Sequence, residues 1–176
     1  MRFIETKLKD AVVIEPDPHV DARGSFTRTF CRDEFAAAGL PVDVVQCNLS
    51  FNPTRGTLRG MHFQVPPREE PKIVRCVRGA AFDAIIDLRP ASPTHCQWFA
   101  AELTADNRRA LYVPAGFAHG FQTLSPDTEI LYQMGEFYAP TLARGVRWND
   151  PVFGIAWPID APLLSDRDAT FADYRP

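Results

Sequence analysis

Apolar residues in this chain recur at every second position, or run together for a few residues, between glycine and proline breaks. That pattern predicts short strands at 11–14, 25–30, 43–49, 57–64, 72–78, 80–88, 98–103, 109–113, 120–124 and 128–138. Turn sequences such as Pro114-Ala115-Gly116 and Ser125-Pro126-Asp127 divide them. A helical signal occurs at 33–38, where acidic residues lead into Ala36, Ala37 and Ala38, and Gly39 with Pro41 stops the run. Many short strands in one domain make a sandwich or a barrel; the expectation is an all-β jelly roll with a few short helices. The proline-bearing tail after Trp157 should wrap that barrel as irregular chain and a short helix.

Side-chain alternation puts Ile130, Tyr132, Met134 and Tyr138 on one face of the segment 128–138, a pattern that suits a barrel lining with polar tips. The same rule sends Arg59 and His62 to opposite faces of an ideal strand. Gly60 lies between them, where a bulge would bring both inward.

Composition narrows the classes. The 176 residues amount to a single domain with a real core, and the 45% hydrophobic and 23% charged shares are those of a soluble globular protein. No apolar run approaches a membrane span of roughly 18 residues, and the start lacks a signal-peptide core, so the expected location is cytoplasmic. Cys31, Cys47, Cys76 and Cys96 form no CxxC pair and read as buried or half-buried thiols of a reducing compartment. A net charge of −3 argues against nucleic-acid binding. Locally, however, Arg55, Arg59, Arg68, Lys72, Arg75 and Arg78 face only Glu69 and Glu70, an excess that suits a small anion. Arg68, Arg75 and Arg78 read instead as charges on a solvated sheet edge.

The stretch Gly56 to Gln64, G-T-L-R-G-M-H-F-Q, sets His62 three residues after Arg59, with Lys72 further on. A histidine beside two cations suits proton removal next to a carbonyl. Ordered motifs run along the rest of the chain: D-A-R-G-S-F at 21–26, Q-C-N-L-S at 46–50, P-K-I-V-R-C at 71–76, D-L-R-P-A-S-P-T at 87–94 and V-P-A-G-F-A-H-G-F at 113–121. L-Y at 131–132, R-W-N-D-P at 147–151, I-A-W-P at 155–158 and L-S-D-R-D at 164–168 complete the set. Together they resemble the dTDP-4-dehydrorhamnose 3,5-epimerases, cofactor-free cupin-type enzymes acting on nucleotide-linked 4-keto-6-deoxy sugars.

The resemblance implies roles that the residues alone leave open. His62 becomes the base, where a lone strand histidine is commonly structural. Asp168 becomes its orienting carboxylate, where the sequence by itself reads as a turn or helix cap. Lys72 is implied to steady the enolate, and Tyr132 to be the acid on the opposite face of the sugar ring; by themselves they read as a strand-start lysine and a core tyrosine. His119 should line the site and Tyr138 is a weaker candidate. Arg23 and Arg59 resemble the family's phosphate and substrate arginines. Gln46 and Asn48 match polar cleft positions, and Phe26 an aromatic that packs on the nucleotide base. The implied partner, besides a nucleotide-diphosphate sugar, is a second copy of the chain, with the N-terminal β-region exchanged between the two.

Two positions depart from the family pattern. His19 replaces the usual phenylalanine, and Arg28 stands where a glutamate is usual. Glutamate accepts hydrogen bonds and arginine only donates, so GDP or CDP becomes an alternative to dTDP. Inversion at C3 only or C5 only, a 3,4-ketoisomerase, a silent binding module and a metal-dependent cupin stay open as well. A metal-dependent cupin would need closely spaced histidines, and His19, His95 and His119 have no HxH partner.

Overall fold

The alternating segments become two facing antiparallel sheets. The computed structural model describes residues 1–40 and 42–175. In chain order its elements are β1 (Arg2–Glu5), β2 (Val12–Glu15), β3 (His19–Asp21), β4 (Gly24–Phe26), α1 (Arg32–Ala37), β5 (Gln46–Asn52) and β6 (Leu58–Gln64). Then follow β7 (Lys72–Arg78), β8 (Ala80–Asp87), β9 (Trp98–Thr104), β10 (Ala110–Val113), β11 (Phe117–Thr123), β12 (Thr128–Met134), β13 (Ala143–Gly145) and α2 (Asp166–Ala169). One sheet runs β1-β2-β10-β7-β12-β5, the other β13-β6-β11-β8-β9, and β3-β4 is a separate hairpin. From β5 onward nearly every connection crosses between the sheets, the traffic of a jelly roll. The fold is the expected cupin-type β architecture.

Alternation sorts the side chains. On β8 and β11, Ala81, Ile85, Phe117 and Phe121 point between the sheets, where they meet Val74, Leu103, Val113 and Ile130. Their neighbours Ala84, Ile86 and Ala118 point outward onto Phe153, Ile155 and Trp157, so the C-terminal tail covers that sheet's outer face. Over the six-stranded sheet, α1 sinks Phe35 against Phe3 and Phe30, at ring-centroid distances of 5.2 and 5.0 Å. Gly39, at φ +70, ends that helix as expected. Among the described residues no helix is long and apolar enough to cross a membrane.

Several boundaries differ from the sequence expectation. β12 stops at Met134, not 138, because Gly135 donates to the Pro71 carbonyl at 2.8 Å and has no room for a side chain beside that proline. β5 follows β12, pairing from Gln46 opposite Met134 to Asn52 opposite Thr128, so it lies about three residues later than expected. β11 begins at Phe117, ahead of the expected 120, and every residue along it is buried, with Ala118 turned onto the tail that covers the outer face. The segment expected at 25–30 pairs only as far as Phe26. β1, β3 and β13 were too short to show a period.

Two further readings need correction. Arg75 is not a solvated edge charge: it is 6% exposed, donating to the carbonyls of Arg108 and Thr29. Cys47 is exposed, because it points away from the barrel on edge strand β5; all four cysteines are free thiols.

Candidate active site

A cavity of about 330 Å³ opens between the two sheets. From the six-stranded sheet it takes Gln46, Asn48 and Ser50 of β5, Lys72 of β7, and Tyr132 and Met134 of β12. Arg59 and His62 of β6 and His119 and Phe121 of β11 line it from the other side.

Arg59 and His62 reach the same cavity because β6 bulges between them. Arg59 lies opposite Phe121 and His62 opposite His119, so β6 holds one more residue than β11 over this span. Leu58 and Met61 accordingly share the outer cluster, while Arg59 and His62 share the cavity. Gly60 makes this possible. It sits at φ +137, and a Cβ there would lie 2.6 Å from the Gly120 Cα.

His62 Nε2 is 2.8 Å from Asp168 Oδ1, and the Gly60 N–H donates to Asp168 Oδ2 at 3.2 Å. α2 delivers this carboxylate, with the Ser165 hydroxyl capping the helix at the Asp168 N–H. Burial pushes the Asp168 carboxyl up, but the His62 hydrogen bond and charge and the Gly60 N–H outweigh it, holding the group below the usual carboxylate range. Phe171 flanks the imidazole edge-on, with centroids 5.8 Å apart. A Cβ on Gly145, which pairs with His62 across β13 and β6, would fall 2.3 Å from that ring.

A second imidazole–carboxylate pair lies deeper. His119 Nε2 is 2.6 and 3.0 Å from the two oxygens of Asp83, and both residues are buried. The Tyr132 ring stands edge-on to His119 at 6.0 Å. Burial, with help from the Asp83 charge, pushes the Tyr132 phenol well above its ordinary range; the Ser50 hydrogen bond and the Arg59 charge offset only part of this. The phenol is therefore protonated at neutral pH. Lys72 places Nζ 2.5 Å from Glu70 Oε1, with side-chain exposures of 4% and 10%. Arg59 donates to Asn52 Oδ1 at 2.7 Å, and Gln46 to Asn48 at 3.0 Å.

A protonated phenol and a carboxylate-backed imidazole thus approach one space from facing sheets, with cations around it. A family described as dTDP-4-dehydrorhamnose 3,5-epimerase matches residues 5–175. The chain belongs to this family. A Shigella flexneri dTDP-4-dehydrorhamnose 3,5-epimerase is 43% identical over 96% of this chain and 93% of its own. The Bacillus anthracis enzyme of that name, solved with TDP and PPi bound, superposes with a TM-score of 0.95 at 42% identity, covering 98% of this chain and 99% of the other. A 3'-monoepimerase from Streptomyces bikiniensis, solved with dTDP-quinovose, gives 0.88 at 36% identity over 97% and 86%. Family membership makes the chain an isomerase.

Of the residues singled out from the sequence, His62, Lys72, Tyr132, Arg59, His119, Gln46, Asn48 and Tyr138 line this one cavity, and Asp168 stands behind His62. Arg23, Phe26 and Arg28 are not brought there. Arg23 is exposed and paired with Asp21, and Phe26, on the hairpin, is 77% exposed. Arg28 donates to Glu34 Oε1 at 2.8 Å; His19, Phe26 and Arg28 share a separate small cavity with Asp17, Glu34 and Met1. Sequence reasoning missed Asp83, Glu70, Arg144 and Arg167 in this neighbourhood. Asp83 had a signal: a lone acid inside A-A-F-D-A-I-I needs a buried partner.

Proposed function

We propose that the chain is a cofactor-independent epimerase of a nucleoside-diphosphate 4-keto-6-deoxy sugar, working through an enolate. In this reading His62, by the ring nitrogen not bonded to Asp168, takes the proton from the carbon beside the C4 ketone. The electron pair moves onto the ketone oxygen, where Lys72 steadies the developing charge. Tyr132 returns a proton to the same carbon from the opposite face. Carbon configuration is inverted, no atom is lost, and the two side chains exchange protons with water before the next turnover. The observation that carries the reading is the placement of His62 and Tyr132 on facing sheets of one cavity. The diphosphate would lie toward Arg59, Arg144 and Arg167, which line the same space.

The proposed substrate is the dTDP-linked 4-keto-6-deoxy hexose, in line with the ligands of the two solved relatives. The primary reading inverts both C3 and C5; the 3'-monoepimerase relative supports inversion at C3 alone as the second. A change of base to GDP or CDP is supported by Arg28, although its guanidinium is already engaged by Glu34. Incubation with the dTDP sugar in deuterium oxide, followed by NMR, tests the reading. Label at C3 and C5 is expected, label at C3 alone selects the second, and no label with any of the dTDP, GDP, CDP or UDP sugars refutes both.

A homodimer belongs to the same proposal. The outer face of β5 and β7 leaves Leu49, Phe51 and Val77 exposed, and Val20 and Phe26 stand out on the hairpin. A second copy covering this face would bring Arg23, Phe26 and Arg28 toward a neighbouring cavity, giving those three residues a use their present surroundings do not.

A further inference from the structure

We infer that Glu70 is a positioning residue for this reaction, acting through Lys72; the inference rests on the enolate reading above. A lysine ammonium ends a flexible four-carbon stem, and in a buried wall such a donor needs an acceptor fixed beside it to stand in one place. Here it is met at 2.5 Å by a carboxylate that is partly buried, its side chain 10% exposed, and that lines the same cavity. The carboxylate has a firm base. Before it, Gln64 Nε2 donates to the Arg68 carbonyl at 2.8 Å, and Arg68 pairs with Glu136 at 2.8 Å. After it, the Pro71 carbonyl takes the Gly135 N–H at 2.8 Å. The segment is therefore tied at both ends to β6 and to the chain just past β12, and Glu70 is a fixed point for a mobile cation.

Placement matters because the oxygen that Lys72 serves gains its charge only as the enolate forms. A donor displaced by about 1 Å costs on the order of 100-fold in rate, and the loss falls on kcat more than on KM. Glu70 thus sets where the ammonium stands, and the hydrogen bond to Oε1, more than the negative charge, does the holding.

Four variants separate the possibilities by deuterium exchange kinetics, with melting curves as fold control. Glu70→Ala should lose about 10- to 100-fold in kcat with KM within about threefold. Glu70→Asp keeps the charge but withdraws it by one methylene, and should fall similarly. Glu70→Gln keeps an acceptor oxygen in place and should stay within about threefold of the parent. Wild-type kcat in Glu70→Ala and Glu70→Asp, or equal damage in Glu70→Gln, overturns the inference. A rise in KM alone also overturns it, pointing to a sugar-binding carboxylate. Should Lys72→Ala exchange at the wild-type rate, the role given to Lys72 fails and this inference with it. If Lys72→Ala is inactive and the Glu70 variants are normal, only the inference fails.

Discussion

Replacing Asp168 by Asn tests the pair behind the proposed base. The change preserves shape, but the amide oxygen can replace only one of the two carboxylate oxygens that meet His62 and the Gly60 N–H, and the negative charge is gone. With Nε2 and Oδ1 2.8 Å apart, charge centres separated by about 4 Å interact by about 4 kcal/mol at an effective dielectric of 20. His62 is 39% exposed at its side chain, and screening by water reduces this to about 2–3 kcal/mol. The imidazolium that forms on proton removal loses that support, so exchange should slow by about 30- to 150-fold. The assay is the initial rate of deuterium incorporation at saturating sugar nucleotide, with circular dichroism to confirm the fold. A kcat within threefold of the parent would refute the claim that the carboxylate stabilises a charged imidazole.

Other consequences concern packing, acid stability and assembly. Gly145→Ala drives a methyl to 2.3 Å from Phe171; unfolding titrations should show a loss of about 1–3 kcal/mol and exchange should fall as the ring beside His62 shifts. Burial raises the Asp87 carboxyl, but hydrogen bonds from Arg89, Ser92 and Thr94 prevail and set it at about 2. Against an unfolded value of 3.8, that is worth about 2 kcal/mol, present above pH 4 and lost as pH falls toward 2. Asp87→Asn should thus be less stable near pH 7, with the gap to the parent closing in acid; a gap unchanged by pH would contradict this. Leu49→Asp with Phe51→Asp should yield monomers by analytical ultracentrifugation, whereas an unaltered dimer would place the interface elsewhere.

Much of the barrel was legible because burial on one face writes period-two alternation into a strand, as along Thr128–Met134. The Gly60 bulge was legible for the opposite reason: Arg59 and His62 break parity unless a flexible residue intervenes. What escaped were features set by partners distant in sequence. The end of β12 is fixed by Pro71, the start of β5 by pairing with β12, and the burial of Arg75 by carbonyls at Thr29 and Arg108. In the site, the Asp168–His62 contact spans 106 positions and the Asp83–His119 contact 36, and no local pattern couples residues at such separations. The motif resemblance pointed to Asp168, whereas no motif singled out Asp83 or Glu70.

The division of labour between the facing sheets is tested most directly by measuring exchange and inversion together in two variants. His62→Ala should incorporate almost no deuterium, and so give no inverted sugar. Tyr132→Phe should keep a substantial part of the exchange while losing most of the inversion, since the proton can still leave but not return from the other side. Equal loss of both activities in Tyr132→Phe, or exchange persisting in His62→Ala, would contradict the assignment of base and acid to the two sheets.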